Sequence, residues 1–248
     1  MNRWLRSLHK WAGLLLAVQF VLWMASGMAM SLLDRDAVDG LAHRSQKKLQ
    51  PKAWPTGLLP AASVLTAAHR RVDTLETTWL LERPVYRLND GPVVWLIDAR
   101  DGRRVAADAG VATAIAEADY VGTGAHAAAQ WQASSTSEAR GHRGPVWRID
   151  FADGDDTTLY VSASDGRILE RRNRSWRLFD VFWMLHIMDY AERKNFNNPL
   201  VIAAAVGGLW LAISGMWLLL ISFRITGVGR RSPAPNTSPP LATFPRGE

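Results

Sequence analysis

Residues 11–33 read WAGLLLAVQFVLWMASGMAMSLL and residues 199–223 read PLVIAAAVGGLWLAISGMWLLLISF, each more than 20 residues long and free of charge. A helix needs about 20 apolar residues to cross the hydrocarbon core of a bilayer. Both runs meet that length and nothing between them does. The chain therefore reads as two membrane-spanning helices enclosing a polar middle of about 165 residues.

Working outward, Arg3, Arg6 and Lys10 precede the first run, and Arg224, Arg230 and Arg231 follow the second. Positive charge beside a span marks its cytoplasmic side, so both termini are expected in the cytoplasm. The connection from about Asp34 to Asn198 is then external, and its own Lys and Arg count little because long loops translocate regardless of charge. A cleaved signal peptide is the rival reading of the first run, with small residues around Ser26 near a cleavage point. The run exceeds the roughly 7–15 residues of a signal h-region, which favours an uncleaved anchor.

The formal charge of +6 does not gather into a stripe or a face, which argues against nucleic acid as a partner. The chain has no cysteine, and so no disulfide, iron–sulfur cluster, thiolate zinc site or covalently attached c-type haem. A metal or haem in this chain must rest on histidine, methionine or oxygen ligands.

Compared with itself, the middle repeats. Pro84-Val-Tyr-Arg leads through an apolar run to Asp98-Ala-Arg-Asp101-Gly102-Arg103, and Pro145-Val-Trp-Arg leads likewise to Ser162-Ala-Ser-Asp165-Gly166-Arg167. Val93 to Ile97 and Leu159 to Val161 have strand composition. Asn89-Asp-Gly91 and Asp153-Gly-Asp-Asp156 have hairpin-turn chemistry. Ala-rich helical stretches, Ala61 to Arg71 and Val111 to Ala118, precede the two copies. Each unit reads helix, strand, hairpin, strand, Asp-Gly turn, so the fold expected is two transmembrane helices plus an external α+β domain. The acidic cluster Asp153, Asp155, Asp156 lacks EF-hand spacing and reads as a solvated turn. The spans echo each other too, Trp23-Met-Ala-Ser26-Gly27-Met28 against Trp210-Leu-Ala-Ile-Ser214-Gly215-Met216; with Gly207 and Gly208 these small residues read as a helix-contact face.

From Trp176 to Tyr190 the stretch WRLFDVFWMLHIMDY is apolar, aromatic and too short to span; Arg171, Arg172, Arg174 and Arg177 accompany it. It reads as an interfacial helix. A break follows, and Asn198-Pro199 supplies an N-cap and first-turn residue for the second span. The organisation expected is a cytoplasmic N-terminus at 1–10, a span at 11–33, a tandem external domain at 34–175 with units of about 60–105 and 110–170, an interfacial helix and hinge at 176–198, a span at 199–223, and a disordered cytoplasmic tail at 224–248.

Leu8-His9-Lys10-Trp11-Ala-Gly13 at the first span, Ser26-Gly27 within it, the duplicated Asp-Gly-Arg units, Leu185-His186-Ile-Met-Asp189-Tyr190, and Asn197-Asn198-Pro199 together resemble the PepSY-associated transmembrane family in a short two-span form. The resemblance runs to about Arg224. It implies an inner-membrane protein with two PepSY-like repeats outside. Longer relatives, usually with four or more spans, include ferric-siderophore reductases carrying b-type haem on histidines of their membrane helices. The resemblance therefore implies haem b, with His9 and His186 as the matching axial ligands.

His9 lies at the cytoplasmic end of its span and His186 at the outer surface, about a membrane thickness apart, so they cannot ligate one iron within one chain. His43, on the outer side, is a candidate partner for His186, and His9 needs another subunit, in a homodimer or a separate redox protein. Asp189, three residues past His186, is a candidate hydrogen-bond partner for its imidazole. The plainer alternatives are a helix-anchoring polar residue for His9 and a satisfied polar tip for His186. His69, His126 and His142 show no ligand spacing and read as surface or structural.

Two functions follow. One is a haem-bearing electron-transfer or reductase component acting on a ferric siderophore with electrons from a separate donor, since no nucleotide-binding loop is visible. The other is a non-enzymatic, membrane-anchored binding or regulatory module using exposed strand edges. No hydrolase motif is visible.

Overall fold

The computed structural model describes residues 3–46, 52–68, 71–134 and 136–228. His69, Arg230, Arg231 and residues 232–248 lie outside them. The chain divides into two compact units, Met1–Val21 with Asn197–Glu248, and Leu22–Phe196.

The first unit pairs the beginning of helix α1 (Arg3–Leu32) with α6 (Pro199–Val228). Both helices are long and apolar enough to cross a membrane. Helix α1 begins eight residues before the expected span, because Arg3 to Lys10 contains no helix breaker and the apolar boundary is not a helix boundary. It places His9 within the helix. Helix α6 likewise runs on to Val228, where a disordered tail was expected from 224. Its start is as the sequence indicates: Asn198 Oδ1 accepts from the Leu200 and Val201 amides at 3.0 and 3.1 Å, and Pro199 is the first helical residue. Glycines bring the two helices close. A Cβ at Gly207 would stand 2.9 Å from Leu16 and one at Gly208 3.3 Å from Phe20, while Gly13 faces Leu211. Large apolar side chains elsewhere on α6 point outward, Val206 64% and Phe223 67% exposed.

The second unit holds two four-stranded antiparallel sheets. After the short helix α2 (Arg35–Val38), helix α3 (Ala61–Ala67) precedes the first: β1 (Thr74–Leu80), β2 (Arg83–Asp90), β3 (Val93–Asp98) and β4 (Arg104–Val105). Helix α4 (Ala109–Asp119) precedes the second: β5 (Gln130–Gln132), β6 (Val146–Asp150), β7 (Thr158–Ser162) and β8 (Ile168–Arg172). Strand alternation sends Tyr86 and Leu88 to one face of the first sheet, where Val64 of α3 meets them, and Val85 to the other, where Leu80, Leu96, Val111 and Ile115 meet it. Helix α4 turns Ala112 and Ala116 the opposite way, onto Ile149, Leu159 and Val161 of the second sheet. One helix thus fills the space between both sheets. Ala139, Val146 and Tyr160 form a further small core on the far face of the second.

The repeated segments occupy like elements, with matching hydrogen bonds. Ala99 N–H donates to Pro84 O and Ala163 N–H to Pro145 O, both at 3.1 Å. Gly102 N–H reaches Asp98 O at 2.9 Å, and Gly166 N–H reaches Ser162 O at 2.8 Å. Both glycines are left-handed, with φ of +76° and +70°. Each unit has four strands rather than the two expected. The sequence reading missed β1, β4, β5 and β8, which are edge or short strands with polar residues such as Thr77, Arg104, Gln130 and Glu170. The first turn is Gly91-Pro92, with Asn89 and Asp90 still paired in the strand.

Helix α5 (Arg174–Ile187) is capped by Asn173, whose Oδ1 accepts from the Trp176 amide at 2.7 Å. The arginines expected to flank an interfacial helix instead close ion pairs within the domain: Arg171 with Asp119, Arg172 with Glu170, Arg174 with Asp156 and Arg177 with Glu138. The acidic turn is not simply solvated either. Asp153 Oδ1 accepts from the Asp155 and Thr157 amides at 3.1 and 2.9 Å.

Gly166 tests how closely the second copy's turn is inserted. A Cβ there would meet Leu80 at 2.5 Å and Ile115 at 2.9 Å, whereas one at Gly91, also left-handed at +56°, meets nothing within 4 Å. Gly91→Ala should destabilise the domain by about 1 kcal/mol, the left-handed penalty alone. Gly166→Ala adds overpacking of about 1–3 kcal/mol. Denaturant midpoints of the full chain in detergent check the order.

Candidate functional site

The expected ligand histidines, His9 and His186, each stand against a Ser-Gly pair. In the first unit, His9 on α1 places Nδ1 2.7 Å from Ser214 Oγ on α6. The serine hydroxyl also reaches back to Leu211 O at 3.2 Å. Gly215 makes room, since a Cβ there would lie 3.3 Å from His9 Cε1. Trp210, one helical turn back, has its ring centroid 6.1 Å from the imidazole.

In the second unit, His186 near the end of α5 places Nδ1 3.3 Å from Ser26 Oγ on α1 and 3.2 Å from Trp23 O. The Ser26 hydroxyl donates to the same Trp23 carbonyl at 2.9 Å. A Cβ on Gly27 would lie 3.1 Å from His186 Cε1. The Trp23 ring is stacked on the imidazole, centroids 5.2 Å apart and planes 21° apart. Ser26 and Ser214 are both buried. The parts therefore recur: histidine, serine back-bonded to its own helix, glycine beneath the ring, tryptophan beside it.

In the sequence alone these serines read as helix-contact residues. The signal that could have found them was the echo between the spans combined with the two histidines, each meeting one Ser-Gly pair.

The other described histidines are spent differently. His43 Nε2 lies 2.8 Å from Asp155, His126 Nε2 2.9 Å from Glu117, and His142 Nε2 2.8 Å from Glu170. The expected pairing of His43 with His186 is replaced by a contact with the acidic turn and with Tyr120, ring centroids 5.8 Å apart. Turn geometry decided this, since Asp155 offers His43 a charged acceptor.

Asp189 also differs from expectation. Helix α5 ends at Ile187 and Met188 turns left-handed, φ +54°, so the helical i, i+3 relation to His186 lapses. The Asp189 carboxylate instead accepts from the amides of Ala191, Glu192, Lys194 and Asn195, at 3.3, 3.0, 3.0 and 2.9 Å. These bonds, Asn195 and Glu192 foremost, hold its carboxyl well below the ordinary range. Trp183 Nε1 donating to Arg193 O at 3.0 Å, with Arg193 on Asp180, ties the same loop to α5.

On α6, Trp210, Ile213, Ser214, Trp217 and Leu220 line an open apolar groove of about 540 Å³ on the helix surface. It shares Trp210 and Ser214 with the His9 contact. Comparison with family models, with curated proteins and with solved structures finds no match.

The depressed Asp189 carboxyl stabilises the folded loop above the unfolded value near 3.8, and the contribution is lost as pH falls through the lower folded value. Amide exchange at Ala191, Glu192, Lys194 and Asn195 should stay slow down to the ordinary carboxylate range and quicken only below it. Asp189→Ala should quicken it at neutral pH. Equal exchange in wild type and variant would refute the role.

Proposed function

We propose that the chain is a PepSY-type inner-membrane protein that carries haem b on His9 and His186 and serves as an electron-transfer or ferric-siderophore reductase component of iron uptake. Both termini are then cytoplasmic and the duplicated domain lies outside, in accord with the flanking charges. The observation that carries the reading is the division among the histidines. His43, His126 and His142 commit Nε2 to carboxylates, whereas His9 and His186 meet serines through Nδ1, beside tryptophan and apolar helix.

The donor set suits the group. Neutral imidazoles in apolar surroundings are ordinary axial ligands for b-type haem. The groove on α6 supplies apolar surface next to Ser214. Haem b, when bound, supplies a one-electron couple. A second ligand at each position would come from a second copy or another redox subunit, and the electron donor would likewise be separate.

A regulatory binding module is the second reading. The edge position of β1, which pairs with β2 alone in its sheet, leaves a strand that can accept a partner segment.

Absorption spectra of detergent-purified protein, oxidised and dithionite-reduced, separate the two. Reduced b-type bands are expected, diminished by His9→Ala and by His186→Ala and unchanged by His43→Ala. Colourless wild-type protein made with ample haem and iron would favour the binding module. For topology, alkaline phosphatase fused after Gly102 should be active and after Arg231 inactive.

A further inference from the structure

We infer that Ser214 at the first site, and the Trp23 carbonyl assisted by Ser26 at the second, fix His9 and His186 as the Nδ1–H tautomer, leaving the Nε2 lone pair of each as the atom offered to a ligand. A serine hydroxyl has one proton and two acceptor lone pairs. Ser214 Oγ lies 3.2 Å from Leu211 O, a group that only accepts, so that contact uses the hydroxyl proton. The 2.7 Å contact with His9 Nδ1 is satisfied together with it when Nδ1–H donates to Ser214 Oγ.

The second site gives the same answer by a shorter route. His186 Nδ1 lies 3.2 Å from Trp23 O, a carbonyl, so Nδ1 carries the proton. Ser26 Oγ donates to that carbonyl at 2.9 Å and presents a lone pair to the imidazole at 3.3 Å. Gly215 and Gly27 permit the approach, because a Cβ at either would come within 3.3 Å and 3.1 Å of the imidazole Cε1.

The two sites differ in one respect. His186 has two acceptors, Ser26 Oγ and Trp23 O, and His9 has Ser214 Oγ. Removing Ser26 leaves the carbonyl in place, while removing Ser214 takes away the serine acceptor on which the His9 tautomer rests. The consequence for haem rests on the function proposed above; the tautomer does not.

The test uses the full chain in detergent, labelled with ¹⁵N-histidine, without haem and at alkaline pH so that the imidazoles are neutral. In wild type, His9 and His186 should both show a protonated Nδ1 and a bare Nε2. Ser214→Ala should release His9 into a mixture of tautomers, Ser26→Ala should leave His186 largely unchanged, and Ser214→Thr should restore His9, since threonine keeps a hydroxyl able to back-bond. Added haem then provides the second readout. Loss of an orienting hydrogen bond weakens such ligation by roughly 10–100-fold, so Ser214→Ala should lower haem affinity by that order and raise its reduction potential, with little effect from Ser26→Ala. A bare Nδ1 in either wild-type histidine, or a His9 spectrum indifferent to Ser214→Ala, would overturn the inference. Correct tautomers in a protein that binds no haem would overturn the haem reading and leave this one standing.

Discussion

A polar group buried on an apolar helix must find a partner within the fold or carry the full cost of going without. That constraint shapes the two serine sites, while Gln19 Nε2 on α1 is buried without a hydrogen-bond partner. Ser26 and Ser214 meet it by bonding back to carbonyls three residues earlier on their own helices. Back-bonding leaves their oxygen lone pairs facing outward, and the two histidines meet the same constraint by using them. The flanking glycines serve the same end, since a Cβ at Gly27 or Gly215 would crowd the imidazole at 3.1 or 3.3 Å.

The domain obeys a different economy, in which charge is closed on charge. Three described histidines sit on carboxylates, and the arginines around α5 are matched one by one to Asp119 of α4, Glu138, Asp156 and Glu170. Asp189 satisfies four backbone amides of a loop that has no regular structure of its own. The contrast lies in which ring nitrogen is engaged: Nε2 where the imidazole meets a carboxylate, Nδ1 where it meets a serine.

Much of this was legible in the chain itself. The two apolar runs, the Asn198-Pro199 start of α6 and the Pro84/Pro145 and Asp-Gly equivalences follow from length, capping and self-comparison, and they appear as helices, cap and matching turns. The outer strands were not legible, because Gln130–Gln132 and Arg104–Val105 are too short and polar to carry a period. The partners of His43 and Asp189 were misread for a related reason. Nearness in sequence or on one side of a membrane does not set side-chain direction, and a helix that stops at Ile187 cancels the spacing rule that linked Asp189 to His186. The serines were hidden by a correct but incomplete reading: small residues do bring helices together, and a hydroxyl among them is also a hydrogen-bonding group.

Helix α4 belongs by repeat to the second copy, yet Val111 and Ile115 cover Leu80, Val85 and Leu96 of the first. A chain cut before Ala109 would therefore open an apolar sheet face to water, and the first copy alone would be prone to associate through it. The two copies must consequently melt as one cooperative block. The pair, rather than the single unit, is thus the smallest piece of the domain in which both faces of the first sheet are covered.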